Sequence, residues 1–179
     1  MEAIMKSVIT TTLALACAFA PPSASAQAVI GNVDGFEKSE AIRLVADFQN
    51  WIVENSEYGE SKRPLERIVF SAHGETVGYH GRTVKLEGQI RGLYDEATAT
   101  IYLVKPWTSM NPYDRSVLLH ELVHHIQHDA KHWYCPQAQE WDAYKLQEKW
   151  LAAHNLSGNF HWASILLESS CAVRDHHPD

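Results

Sequence analysis

The chain has 179 residues, 45% of them hydrophobic, with fifteen Lys and Arg against twenty-two Asp and Glu, a formal net charge of -7 and eleven histidines. That acidity, with no basic run, argues against nucleic acid or an anionic membrane surface as the main partner. The length suits one domain behind a leader.

Lys6 precedes an apolar run from Val8 to Ala20, and Ala24-Ser25-Ala26 before Gln27 fits a signal-peptidase site, so residues 1–26 read as a secretory signal peptide. The apolar run is too short for a stable membrane span. Cys17 follows Ala14-Leu15-Ala16, a loose lipoprotein box that gives lipid anchoring as the alternative. Residues 27–179 then form the single domain of an exported protein, periplasmic or secreted.

Ile42, Val45, Phe48, Trp51 and Ile52 recur at helical spacing and predict a core helix from about Lys38 to Glu54. Arg67-Ile68-Val69-Phe70 reads as a strand, and residues 71–87 as loop or irregular hairpin. Gln89 to Tyr94 and Thr98 to Val104 read as two further strands around an Asp95-Glu96-Ala97 turn.

Asn111 as cap, Pro112 at the first helical position and Asp114 in the first turn start a helix that runs to about Ala130. It carries His120-Glu121-Leu122-Val123-His124, the pattern HExxH. An α-helix turns about 100° per residue, so His120 and His124 project within about 40° of each other and reach one tetrahedral cation. Glu121 sits about 100° round, where it reaches a water near the metal as a general base. Leu118, Leu119, Leu122, Val123 and Ile126 form an apolar arc centred about 230° from His120, almost opposite the two histidines and Glu121. The polar trio therefore looks into a cleft, and Val117, near 60°, is the one apolar residue on that side.

A catalytic zinc takes three protein ligands. The longer pattern HExxHxxGxxH is excluded, because Gln127 and Ala130 stand where Gly and His would be needed. From Pro136 to about His154 a second helix carries Ala143, Leu146, Trp150 and Leu151 on one broad face, and Glu140 falls on that inward side. An unpaired carboxylate there is costly, and ligation relieves it. Asp142 points with the charged residues and is the weaker ligand.

Cys135 and Cys171 are the two cysteines beyond the leader, and an exported compartment favours their oxidation to a disulfide. Two free thiols are the alternative; zinc ligation is disfavoured because neither belongs to a ligand-spaced pair. A last helix runs from about Asn159 to Cys171, with a disordered tail from about residue 174 that includes His176-His177. His125 and His132 read as surface histidines, and Tyr144 as a core tyrosine.

His120, Glu121, His124 and the Glu140-Trp141-Asp142-Ala143-Tyr144 stretch resemble the gluzincin branch of the zincin-like metallopeptidases, in which a glutamate on a following helix completes HExxH. The resemblance covers roughly residues 90–150 and is closest to small secreted bacterial members. It implies an α+β fold, with a small antiparallel sheet packed on an active-site helix and further helices. It also implies Zn²⁺ held by His120, His124 and Glu140, Glu121 as catalytic base, and a peptide or protein substrate received along the strand before the helix. Two other readings stay open: zinc held for stability alone, and a non-catalytic binding or envelope-associated module on a zincin scaffold.

Overall fold

The structure, a computed structural model, describes residues 38–171. The expected leader at 1–26 with Cys17, and the expected tail from about 174, lie outside the described residues. Nine main elements follow in order: α1 (Lys38–Asn55), β1 (Arg67–Ser71), β2 (Thr76–Tyr79), β3 (Arg82–Lys85), β4 (Gly92–Asp95), β5 (Thr100–Val104), α2 (Pro112–Ala130), α3 (Glu140–Ala153) and α4 (Trp162–Ser169). Among the described residues no helix is long and apolar enough to cross a membrane.

The α+β class holds, but the sheet is mixed where an antiparallel one was expected. Its order is β1-β5-β4; β4 runs antiparallel to β5 with Gly92 opposite Leu103, while β1 runs parallel to β5 with Arg67 opposite Thr100. The parallel pairing is possible because a long connection intervenes, and that connection carries a separate hairpin, β2 with β3. His80 and Gly81 form its two-residue turn with φ of 50° and 71°. Positive φ at both central positions is what a tight hairpin of matching twist requires.

Side chains alternate across the sheet. Ile101 and Leu103 of β5 and Tyr94 of β4 enter the main core, whereas Tyr102, Val104 and Leu93 face a smaller cluster with Val77 and Leu86 of the hairpin segment. The main core joins α1 through Phe48 and Ile52, α2 through Leu118, Leu119, Leu122 and Ile126, and α3 through Ala143, Trp150 and Leu151. Helix α2 is the centre of this packing, buried from Leu118 through Gln127. Its start follows the expected capping: Asn111 accepts the Tyr113 N–H at 3.0 Å, and Pro112 takes the first position.

Several boundaries differ from expectation, and β5 begins at Thr100 rather than Thr98. Strand β4 begins at Gly92, since Ile90 and Arg91 precede its pairing with β5. Residues 136–139 form a 3-10 turn, so α3 starts at Glu140 itself. Helix α4 is shorter at both ends, because His161 caps it by accepting the Ser164 N–H.

Candidate metal centre

Each ligand candidate is placed by a helix whose apolar face is buried elsewhere. His120 and His124 lie one turn apart on α2, and Glu140 opens α3, which packs against α2. His120 Nε2 and His124 Nε2 are 3.1 Å apart. The Glu140 carboxylate straddles them, with Oε2 3.2 Å from His120 Nε2 and Oε1 3.4 Å from His124 Nε2. These three residues form a group that can hold a metal ion. A tetrahedral cation with ligands at about 2.0 to 2.1 Å has ligand-to-ligand edges of about 3.3 to 3.4 Å, and the separations here, measured to two different oxygens of Glu140, are close to that size.

The two glutamines behind the histidines fix their tautomers. His120 Nδ1 is 3.1 Å from Gln147 Oε1, and His124 Nδ1 is 2.9 Å from Gln127 Oε1. Gln127 Nε2 donates to the Gln139 carbonyl at 3.0 Å and to the Tyr58 hydroxyl at 3.2 Å. Gln147 Nε2 donates to Ser116 Oγ at 3.0 Å, and that hydroxyl donates in turn to the Tyr113 carbonyl at 2.7 Å. Since a backbone carbonyl can only accept, each amide has its oxygen towards the imidazole, and each Nδ1 carries a hydrogen. Both Nε2 atoms are thereby turned towards Glu140 and towards any cation held there.

The electrostatics follow from crowding these groups together, with Glu121 and His124 buried and the Glu140 side chain partly exposed. Burial favours neutral His124, but the hydrogen bond and charge of Glu140 outweigh it and raise the imidazole to about 9. Burial likewise opposes ionised Glu140, yet the hydrogen bonds and charges of His120 and His124 hold it well below the usual carboxylate range. Glu121, only 6% exposed, is pushed up by burial; the two histidines pull it down and Glu140 pushes it further up.

A cleft of about 710 Å³ opens over these residues, walled by β4, by the His80 turn of the hairpin and by the Gly158–His161 segment. Tyr144 lines it, its ring 4.6 Å from that of His120 and 5.0 Å from Phe160. Its hydroxyl is raised to about 12 by burial and then by the charges of Glu140 and Glu121. Tyr79 lines the cleft from the hairpin, raised by burial and the same two carboxylates. Val117, apolar on the polar side of α2, is a wall residue.

The family model described as Domain of unknown function (DUF6647) matches residues 37–179. The chain belongs to this family. No curated protein and no solved structure matches it.

In this DUF6647 domain His120, Glu121, His124 and Glu140 converge on one cleft, as their spacing predicts. Asp142 turns away, accepting from Tyr58 at 2.8 Å and pairing with Lys145 at 2.9 Å. Cys135 and Cys171 form a disulfide. His132 is exposed, but His125 is fully buried, contrary to its surface reading, because β4 covers that side of α2. Tyr144 is a cleft tyrosine rather than a core one. Sequence reasoning missed Gln127 and Gln147, although a signal existed: each stands seven residues after a ligand candidate, His120 and Glu140, and seven residues is about two helical turns.

Proposed function

We propose that the protein is a zinc-dependent hydrolase of the zincin-like kind, a peptidase, with His120, His124 and Glu140 as ligands of Zn²⁺ and Glu121 as general base. The observation that carries this reading is the three-way approach of His120 Nε2, His124 Nε2 and the Glu140 carboxylate at 3.1 to 3.4 Å, beside a buried Glu121 in the same cleft. Two imidazoles and one carboxylate are a donor set suited to zinc.

Zn²⁺ in such a site acts as a Lewis acid and acidifies water. Glu121, raised by burial, takes a proton from the attacking water and returns it to the leaving amine. Gln127 and Gln147 keep the imidazoles in the ligating tautomer. Edge strand β4 runs along the cleft, and an extended peptide laid beside it is the substrate this reading expects. The Cys135–Cys171 bridge suits an exported protein, in keeping with the leader read at residues 1–26.

Metal analysis of the purified protein, with peptide hydrolysis measured in parallel, tests the assignment. Glu121→Gln is expected to keep one zinc and lose hydrolysis; Glu140→Ala is expected to lose the zinc. Full hydrolysis by Glu121→Gln would sink the mechanism. A zinc-bound wild type in which a chelator lowers the melting temperature, but which cleaves no member of a randomised peptide library, would favour zinc held for stability alone.

A further inference from the structure

Strand β4 meets α2 where it has no side chain. A Cβ built on Gly92 would lie 2.5 Å from Glu121 Oε1, 2.8 Å from Val117 Cγ1 and 2.9 Å from Glu121 Cγ. Real Cβ atoms essentially never come that close, so any residue other than glycine forces something to move. The backbone at Gly92 is not in the left-handed region, so the glycine is not there to make a turn. What demands it is the glutamate opposite.

Helix α2 cannot recede, since Leu118, Leu119 and Leu122 behind it have no exposed surface. Strand β4 is held by its ladder to β5 and by Tyr94, whose hydroxyl is 3.1 Å from buried His125 Nδ1. Val117 is β-branched and has essentially one χ1 rotamer in a helix. Glu121 is the adaptable member, but the contact to its Cγ lies near the root of the side chain. Swinging the carboxylate alone does not clear it; χ1 must change.

We propose that Gly92 is a positioning residue for Glu121: the missing Cβ leaves the space in which the Glu121 side chain lies between β4 and α2 with its carboxylate in the cleft. This rests on the reading of Glu121 as the general base. It separates two properties of the site, because the proposed ligands come from α2 and α3 and none of their atoms is among the three nearest to the position a Gly92 Cβ would take.

The test compares Gly92→Ala, Glu121→Gln and the double variant in the full-length protein. Gly92→Ala is expected to bind zinc with unchanged stoichiometry and affinity and to lose kcat by about 100-fold with little change in KM, the loss a misplacement of about 1 Å can produce. The double variant is expected to be no slower than Glu121→Gln alone, because Gly92 acts only through that side chain; a further loss in the double variant would overturn the proposal in favour of a general structural effect. A crystal structure of zinc-loaded Gly92→Ala gives a readout free of activity. Glu121 should have changed χ1 while His120, His124 and Glu140 stay in place, and an unmoved Glu121 would overturn the proposal. An inactive Glu121→Gln beside a fully active Gly92→Ala sinks the role of Gly92 alone, whereas a fully active Glu121→Gln sinks the base. If Gly92→Ala does not fold, Gly92→Ala/Val117→Ala, which removes the Val117 contact and keeps the one to Glu121, carries the same comparison against Val117→Ala.

Discussion

The Tyr94 hydroxyl and His125 Nδ1 share a hydrogen bond of 3.1 Å in the interior, with the rings meeting edge to face at 5.5 Å. Burial lowers His125 to about 4, so the ring is neutral at ordinary pH and suited to such a partner. The contact also sets how the strand lies on the helix. Two strand residues advance about 6.7 Å and four helical residues about 6 Å, so pinning Tyr94 to His125 brings Gly92 beside Glu121.

Tyr94→Phe removes that bond and leaves a buried ring nitrogen short of a partner. A loss of about 1 to 2 kcal/mol is expected in the unfolding free energy from a denaturant titration, with zinc stoichiometry unchanged. No change in stability would mean that the contact is incidental.

Gln147→Met keeps length and volume but offers His120 no acceptor. Zinc affinity is expected to fall about 10- to 100-fold, read by competition with a chromophoric chelator. Affinity within twofold of wild type would show that the glutamine does not fix the tautomer.

Asp95 predicts a pH dependence. Burial would raise its carboxyl, but the Thr98 hydroxyl at 2.6 Å and the backbone N–H groups of His80 and Ala97 at 3.0 and 3.3 Å outweigh that and lower it. A carboxyl lowered in the folded state adds stability in full above its unfolded value of 3.8, and that stability is lost as pH falls through the folded value. Asp95→Asn should therefore be less stable than wild type at pH 7 by about 1 to 3 kcal/mol, with the gap closing as pH drops below 3.8 in thermal melts. A gap constant down to pH 2 would contradict the assignment.

The Cys135–Cys171 bridge closes a sequence separation of 36 residues. On the chain-entropy account it contributes about 4 kcal/mol, so Cys135→Ser/Cys171→Ser should unfold at lower denaturant by that order. Cys135 precedes the 3-10 turn that leads into Glu140, so zinc affinity should fall as well. Equal affinity with and without the bridge would show that α2 and α3 alone hold the ligand.

Where local chemistry decided the outcome, the sequence was a sufficient guide. Helix α2 has the expected bounds because its cap, its proline and its apolar arc all lie within one segment. Glu140 turned inward for the same reason: the apolar positions of α3 orient it. What stayed hidden depends on segments far apart. His125 lies about 140° from His120, at the margin of the apolar arc, and only the arrival of β4 makes it interior. The parallel pairing of β1 with β5 leaves no mark in either strand. The β2–β3 hairpin did leave one, in the alternation on either side of His80-Gly81, but a histidine is an unusual first residue for that turn. Nothing within the strand expected from Gln89 to Tyr94 marks Gly92, because the side chain it makes room for is on another element.

His120, His124 and Glu140 fall in one run from position 120 to position 140, on two helices joined by a short connection. The wall that receives Glu121 needs β4 on β5, in a sheet whose other pairing joins Arg67 to Thr100. The candidate metal group is thus sequence-local, and the cleft over it depends on long-range pairing. A preparation with full zinc occupancy does not certify an intact cleft.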